Sequence, residues 1–284
     1  GAIKYGYNDL RPSLERASAR ETTMRVAVGA ICKQFLAAFG IEVGGYVSSI
    51  GEINASLNGS KHKVRFEAAE TNDLRCPDEV AAEKMRERIR QIMQEKDTLG
   101  GVIEIVALNV PIGLGSFAQW DTRLEAKLAQ AVMSVQAMKG VEIGDAFANA
   151  RLTGTQAHDA ILLEDETLIR PTNRAGGTEG GISNGEPIVI RAAMKPIAST
   201  LTPQKTVDLV TGEETITTYE RSDFCPVPRA VPVLEAVVAI VLTDALIEKL
   251  GGDSLAEMKP RFEALKQARL SDIDLSGEGH VFWG

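Results

Sequence analysis

One helix-to-strand junction occurs twice in the sequence. Phe39-Gly40-Ile41-Glu42-Val43-Gly44 ends one helical pattern and opens a strand, and a hundred residues later Lys139-Gly140-Val141-Glu142-Ile143-Gly144 does the same. Before the first junction, Met24, Val28, Ile31, Cys32, Phe35 and Phe39 recur at three- and four-residue spacing, which predicts a helix over residues 14–39. Gly40 stops it by accepting the left-handed conformation that follows a helix. Before the second, Leu124, Leu128, Ala131, Val132 and Val135 repeat the spacing, with Asp121 or Thr122 available as a cap. Two helix–glycine–strand units point to an internal duplication. A pseudo-symmetric α+β sandwich satisfies it, with helices between or against antiparallel sheets.

The remaining segments fill in around these units. Residues 41–50 read as a strand that bends or bulges at Gly44-Gly45, and 102–110 as a mostly buried strand ended by Pro111. Residues 78–96 form an amphipathic helix capped by Asp78, with Val80, Met85, Ile89, Ile92 and Met93 on its apolar face. Residues 54–73 are polar and poorly patterned, a loop with at most a short edge element, in which His62 between Lys61 and Lys63 is solvated. Residues 153–180 read as a surface loop carrying His158, and 202–219 as a hairpin turning at 211–214. Residues 231–250 make the most apolar helix, and 255–268 supply another. The tail carries His280 and an aromatic pair, Phe282-Trp283, suited to a subunit contact.

Composition limits the partners. The 284 residues are 44% hydrophobic, enough for a sizeable core. A net charge of −8 argues against nucleic acid or an anionic membrane as the bulk partner, so local arginines must do any anion binding. Cys32, Cys76 and Cys225 have neither metal-ligand nor redox spacing, which predicts no metal site and a reduced, cytoplasmic setting. The longest apolar run, 231–246, is broken by Glu235 and Asp244, and a membrane is not expected.

Chemistry concentrates in two stretches. Residues 180–200 begin with the turn Gly180-Gly181-Ile182-Ser183-Asn184-Gly185-Glu186-Pro187, whose glycines let backbone N–H groups approach an anion. After a short apolar strand come Lys195, which offers a point charge, Pro196, which stiffens the turn, Ile197, Ala198, and two hydroxyl donors, Ser199 and Thr200. The second stretch, Arg221-Ser222-Asp223-Phe224-Cys225-Pro226-Val227-Pro228-Arg229-Ala230-Val231-Pro232, leads into the apolar helix, and Pro232 suits a first helical turn. Ser222 and Asp223 fit turn or capping roles. Two arginines around an aspartate also describe an anion clamp with an acid/base beside it. Near the start, Arg16 and Arg20 share a helix face, and on the residues alone a solvated helix start with an ordinary Arg–Glu pair is the favoured reading.

Those stretches, with Arg16-Ala17-Ser18-Ala19-Arg20-Glu21-Thr22 and Val135-Gln136-Ala137-Met138-Lys139-Gly140-Val141-Glu142-Ile143-Gly144, resemble the chorismate synthase family. The blocks occur in the family's order and cover nearly the whole chain. The resemblance implies a lyase of the shikimate pathway that serves aromatic amino acid biosynthesis. It would eliminate phosphate from 5-enolpyruvylshikimate 3-phosphate with reduced FMN, which NAD(P)H or a flavin reductase supplies. It also implies a homotetramer. Carried over block by block, Arg16, Ala17, Ser18, Gln136, Ala137, Gly180, Lys195, Pro196, Ile197, Ala198, Ser199 and Arg221 would line the flavin. Arg20 and Arg221 would face the substrate, and Asp223 would stand near the reactive edge of the ring. Gln136 stands where other members often carry asparagine. The resemblance further implies one domain over 1–284, with about a quarter to a third of the family's length, at its N-terminus, missing. The family's catalytic histidines belong to that part, so an inactive fragment is expected. The alternatives are a non-catalytic flavin- or phosphate-binding module and an interaction scaffold.

Overall fold

A computed structural model of the chain describes residues 1–57, 59–219, 223–274 and 277. The principal helices are α1 (Thr22–Ala37), α2 (His62–Glu70), α3 (Glu79–Glu95), α4 (Leu124–Met133), α5 (Val227–Leu250) and α6 (Leu255–Glu263). The principal strands are β1 (Glu42–Ile50), β2 (Ile53–Asn54), β3 (Gly101–Leu108), β4 (Met138–Ile143) and β5 (Ile188–Met194). They form one antiparallel sheet in the order β2-β1-β3-β5-β4. The α+β architecture with antiparallel sheets is the one expected.

Strand alternation sorts the sheet's two faces. Val43, Val47, Ile103, Ile105, Ile188 and Ile190 point into the main core beneath α1, α4 and α5, with α3 contributing Ala81, Ala82, Met85 and Ile92. The alternate residues Tyr46, Val106 and Val189 face the other way, against Phe66 and Ala69 of α2. Gly44 and Gly45 are there for close approach, one on each face. A Cβ on Gly44 would stand 2.6 Å from the Phe66 ring, and one on Gly45 would stand 2.4 Å from Ile105. The register shift lies beyond them, between Val47 and Ser49.

The helical layer is held at its centre by α5, which is apolar on nearly all sides. It is long and apolar enough to cross a membrane, with a mean hydropathy of 2.2, but 67% of that window is buried inside the protein. Against it α1 packs so closely that a Cβ on Gly29 would lie 2.3 Å from the Ala236 Cβ. Gly29→Ala is therefore expected to destabilise the protein by about 1–3 kcal/mol, because overpacking forces the helices apart. The midpoint of urea unfolding checks this.

A polar row, buried at Tyr46 and Glu104 and partly exposed at Arg191 and Glu142, crosses the α2 face of the sheet. Tyr46 is paired with Glu104, Glu104 with Arg191 and Arg191 with Glu142 in the strand registers, so all four residues share one face. Arg191 reaches Glu104 at 2.8 Å, Asp145 at 3.1 Å and Glu142 at 3.4 Å. The Tyr46 hydroxyl donates to Glu104 and accepts from Arg65 of α2 at 2.9 Å. Burial disfavours the Arg191 charge, yet Glu104 with Asp145 and Glu142 more than reverses this and raises its pKa. Burial, then Glu104, likewise pushes the Tyr46 hydroxyl up.

His62 abuts this row, half-buried, with no partner for its Nδ1. Its pKa is lowered from 6.5, first by desolvation and then by Arg65, while Glu104 opposes. The unfolded chain then binds the proton more readily, so stability is full above 6.5 and falls as pH drops through the folded pKa. Thermal melting between about pH 7 and 5 should show this slope, and His62→Asn should flatten it.

Other expectations need correction. The helix predicted over 14–39 is interrupted at Ser18, whose backbone is extended and whose hydroxyl accepts from the Arg20 N–H. Helix α2 occupies the stretch expected to be a loop, and His62 in it is not solvated. On α3, Val80 and Met93 are exposed, while Asp78 caps as expected. Neither Asp121 nor Thr122 caps α4; the Leu124 N–H donates to the Gly181 carbonyl instead. The loop at 153–180 contains the hairpin Leu162–Glu164 and Thr167–Ile169, and α5 begins at Val227 with Pro232 inside it. The junction glycines also differ. Gly40 has φ 76° after α1, whereas after α4 that left-handed place is taken by Ala137 at φ 65°, and Gly140 sits within β4. His280 and the aromatic tail lie outside the described residues.

Candidate functional site

The structure gathers most of the predicted site residues into one strip at the end of the sheet where β3 begins, β4 begins and β5 ends. Ser18 starts a short 3-10 turn, Ala19–Glu21, that projects Glu21 toward the end of α4. Glu21 accepts the Gln136 side-chain amide at 2.8 Å and pairs with Arg25 at 2.8 Å, and Arg25 donates to Ser134 at 2.6 Å. The 16–21 block and the 136–137 block are thereby clamped together. The Gln136 amide, then Arg25, holds the Glu21 carboxyl below the usual range.

Ala137 in turn accepts the Lys195 N–H at 3.0 Å, which attaches the turn at 195–199. That turn is bolted to the body where the Thr98 hydroxyl donates to the Ile197 carbonyl at 2.8 Å. One residue on, the Leu99 N–H donates to the Phe224 carbonyl at 2.8 Å, placing Asp223 beside the same edge. Two loops distant in sequence, 195–199 and 223–225, thus meet on residues 98 and 99. Between them, the hairpin Lys205–Val207 and Glu214–Ile216 projects fully exposed.

The strip's side chains are engaged in different ways. Asp223 pairs with Arg229, so that arginine serves as a partner to the acid. Arg20 pairs with Glu15, and both are largely exposed. Lys195 Nζ lies 3.3 Å from the Pro196 carbonyl. Burial raises the Cys225 thiol to about 11, which keeps it protonated and inert. Gln136 is the exception: its amide nitrogen is used, but its carbonyl oxygen is buried with no partner. The orphaned acceptor is one residue before Ala137, whose carbonyl accepts the Lys195 N–H, and an N–H donor would satisfy it.

Of the predicted residues that the structure describes, Gly180 is not brought to this strip. Arg221 lies outside the described residues. Gly180 belongs to the turn that caps the start of α4, whereas Ala137 and Lys195 lie past its other end. The ten residues of that helix separate them by about 15 Å. The sequence reading missed Glu21, Arg25 and Ser134, which do the clamping. Only the four-residue spacing of Glu21 and Arg25 signals them.

The chain has relatives among known proteins. A family model described as chorismate synthase matches residues 1–247. The chain belongs to the chorismate synthase family. It is 49% identical over 273 residues to the chorismate synthase of Sulfurihydrogenibium sp. strain YO3AOP1, covering 94% of this chain and 70% of that one. The chorismate synthases of Geobacter sulfurreducens and Aquifex aeolicus are each 50% identical to it, and the matches cover 69% and 68% of their lengths. A solved structure titled as a crystal structure of chorismate synthase superposes with a TM-score of 0.81 at 47% identity, over 93% of this chain and 74% of that one. Relatives aligned along nearly all of this chain carry the enzyme's name, so the expectation of an inactive fragment is not borne out.

Proposed function

We propose that this chorismate synthase family chain eliminates phosphate and a ring proton from 5-enolpyruvylshikimate 3-phosphate to give chorismate, and that the strip described above is its flavin site. The single observation carrying the site is the convergence of three blocks, 16–21, 136–137 and 195–199, through Glu21 and Ala137. Arg16, Ala17, Ser18, Gln136, Ala137 and the 195–199 turn would hold FMN. The orphaned Gln136 oxygen fits the reduced form, whose ring presents N–H donors. When bound there, reduced FMN would supply transient electron density to the elimination with no net redox change.

The protein's part is charge and position. Lys195 and Arg20 meet anionic groups of cofactor and substrate, and Arg221 belongs with them by its place in the sequence. Asp223, held by Arg229, is oriented to move a proton at the ring edge. A cytoplasmic homotetramer drawing reduced flavin from a reductase or from NAD(P)H is part of the same reading.

Titration of FMN fluorescence with this chain, with and without 5-enolpyruvylshikimate 3-phosphate, tests it. Saturable quenching that tightens with substrate and weakens in Lys195→Ala supports the site. Quenching unchanged in that variant places the flavin elsewhere.

A further inference from the structure

At the opposite end of β3 from the flavin strip, about 25 Å away along the strand, lies a groove of about 690 Å³. The size is in the range of small-molecule sites. Its floor is apolar, and the aromatic rings of Phe39 and Phe262 meet there with centroids 5.2 Å apart. Arg170 and Arg269 line it on the side formed by the Leu162–Glu164 and Thr167–Ile169 hairpin and the chain after α6. That wall is fixed: Leu168 donates to the Ala268 carbonyl at 2.6 Å, and Leu270 donates to the Glu166 carbonyl at 3.0 Å. The facing wall is the last part of the glycine-rich turn, Asn184 to Glu186, which the flavin strip does not use.

The arginines are under-used for their setting. Arg170 keeps only 13% of its side chain exposed and has one acid partner, Glu179 at 2.7 Å, which also accepts from Asn184 at 2.9 Å. Its Nε is buried with no partner. A guanidinium is a five-donor fork matched to carboxylates, and a shielded N–H without an acceptor gains from any rotation that brings one within reach. Arg269 makes no ion pair among the described residues. Glu186 also lines the groove, so with Glu179 two carboxylates stand against two guanidiniums. With Arg170 already paired to Glu179, Arg269 is the cation left to meet an incoming charge, which disfavours a dianion such as phosphate.

We propose that this groove binds a small monocarboxylate with a flat, aromatic body: the ring against Phe39 and Phe262, the carboxylate on Arg170 and Arg269. The site is separate from the flavin strip, so an occupant does not compete with the substrate.

Calorimetric titration of the full chain with phenylacetate tests this. The expected result is saturable binding at millimolar concentration or tighter, weakened about tenfold or more in Arg170→Met and in Arg269→Ala. Arg269 is exposed, so its variant keeps the parent's melting temperature and separates lost binding from lost folding. Phenethylamine, with the same ring and the opposite charge, should not bind, and phosphate should not compete. Equal binding by both variants, equal binding of the amine, or no phenylacetate binding up to about 10 mM overturns the proposal. FMN titration of Arg269→Ala should match the parent, which keeps this outcome independent of the flavin site.

Discussion

Arg191→Met should cost the fold about 3–5 kcal/mol, the largest effect expected from a single substitution outside the helical core. Glu104 keeps 4% of its side chain exposed, and its main cation is Arg191 at 2.8 Å; Arg65 stands farther off at 3.8 Å. Removing the guanidinium leaves a carboxylate between two strands with only Tyr46 and a distant arginine to compensate for lost water. Glu142 and Asp145 lose their partner too, which loosens β4 against β5. The midpoint of guanidinium unfolding should fall with little change in slope, the sign of lost stability without a change in the surface exposed. Adding Glu104→Gln should recover part of the loss, because the two residues are coupled and the neutral amide has less need of a cation. Additive losses in the double variant would mean the row is not a unit.

Glu21→Ala should lower kcat/KM about 100-fold although Glu21 is placed to touch neither substrate nor the reacting atoms. Its carboxylate holds Gln136 and Arg25 together, and through them the 16–21 turn against the end of α4. Without it the two halves of the proposed flavin strip lose their common anchor, and a misplacement of about 1 Å is amplified in the transition state. Glu21→Gln keeps an acceptor and should retain much of the activity, which a purely electrostatic role would not allow. The loss should appear in the affinity for FMN as well as in kcat. Because the folded pKa is depressed, this clamp is fully present above the ordinary carboxylate range and weakens as pH falls through the folded value.

Periodicity revealed the elements whose burial follows a simple pattern. The strand at 102–110 and the helix through Leu128 and Val132 bury what their spacing predicts, and the capped helix from Asp78 buries Met85 and Ile92 of its predicted face but leaves Val80 and Met93 exposed. It failed where the chain is charged. In α2 only Phe66 and Ala69 are buried, so the segment carries too little apolar signal to stand out from a loop. Ser18 breaks a helix that the pattern continues, because a hydroxyl bond to the Arg20 N–H competes with the helical ladder locally.

The site was legible as blocks and not as a geometry. Nothing in the sequence reveals that Ala137 and Lys195 share a hydrogen bond while Gly180 lies a helix length away, since strand order decides both. One signal was available and unused: Glu104 in the middle of Val102-Ile103-Glu104-Ile105-Val106 is a charge in a buried strand, and such a charge requires a cation on a neighbouring strand. Arg191 is that cation.

The proposed elimination is tested by anaerobic incubation of this chain with 5-enolpyruvylshikimate 3-phosphate and chemically reduced FMN. Chorismate and phosphate should form in equal amounts over many turnovers, with the flavin still reduced at the end and the rate sharply lower in Lys195→Ala. Absence of phosphate release above background, with FMN bound and the chain folded, would contradict it.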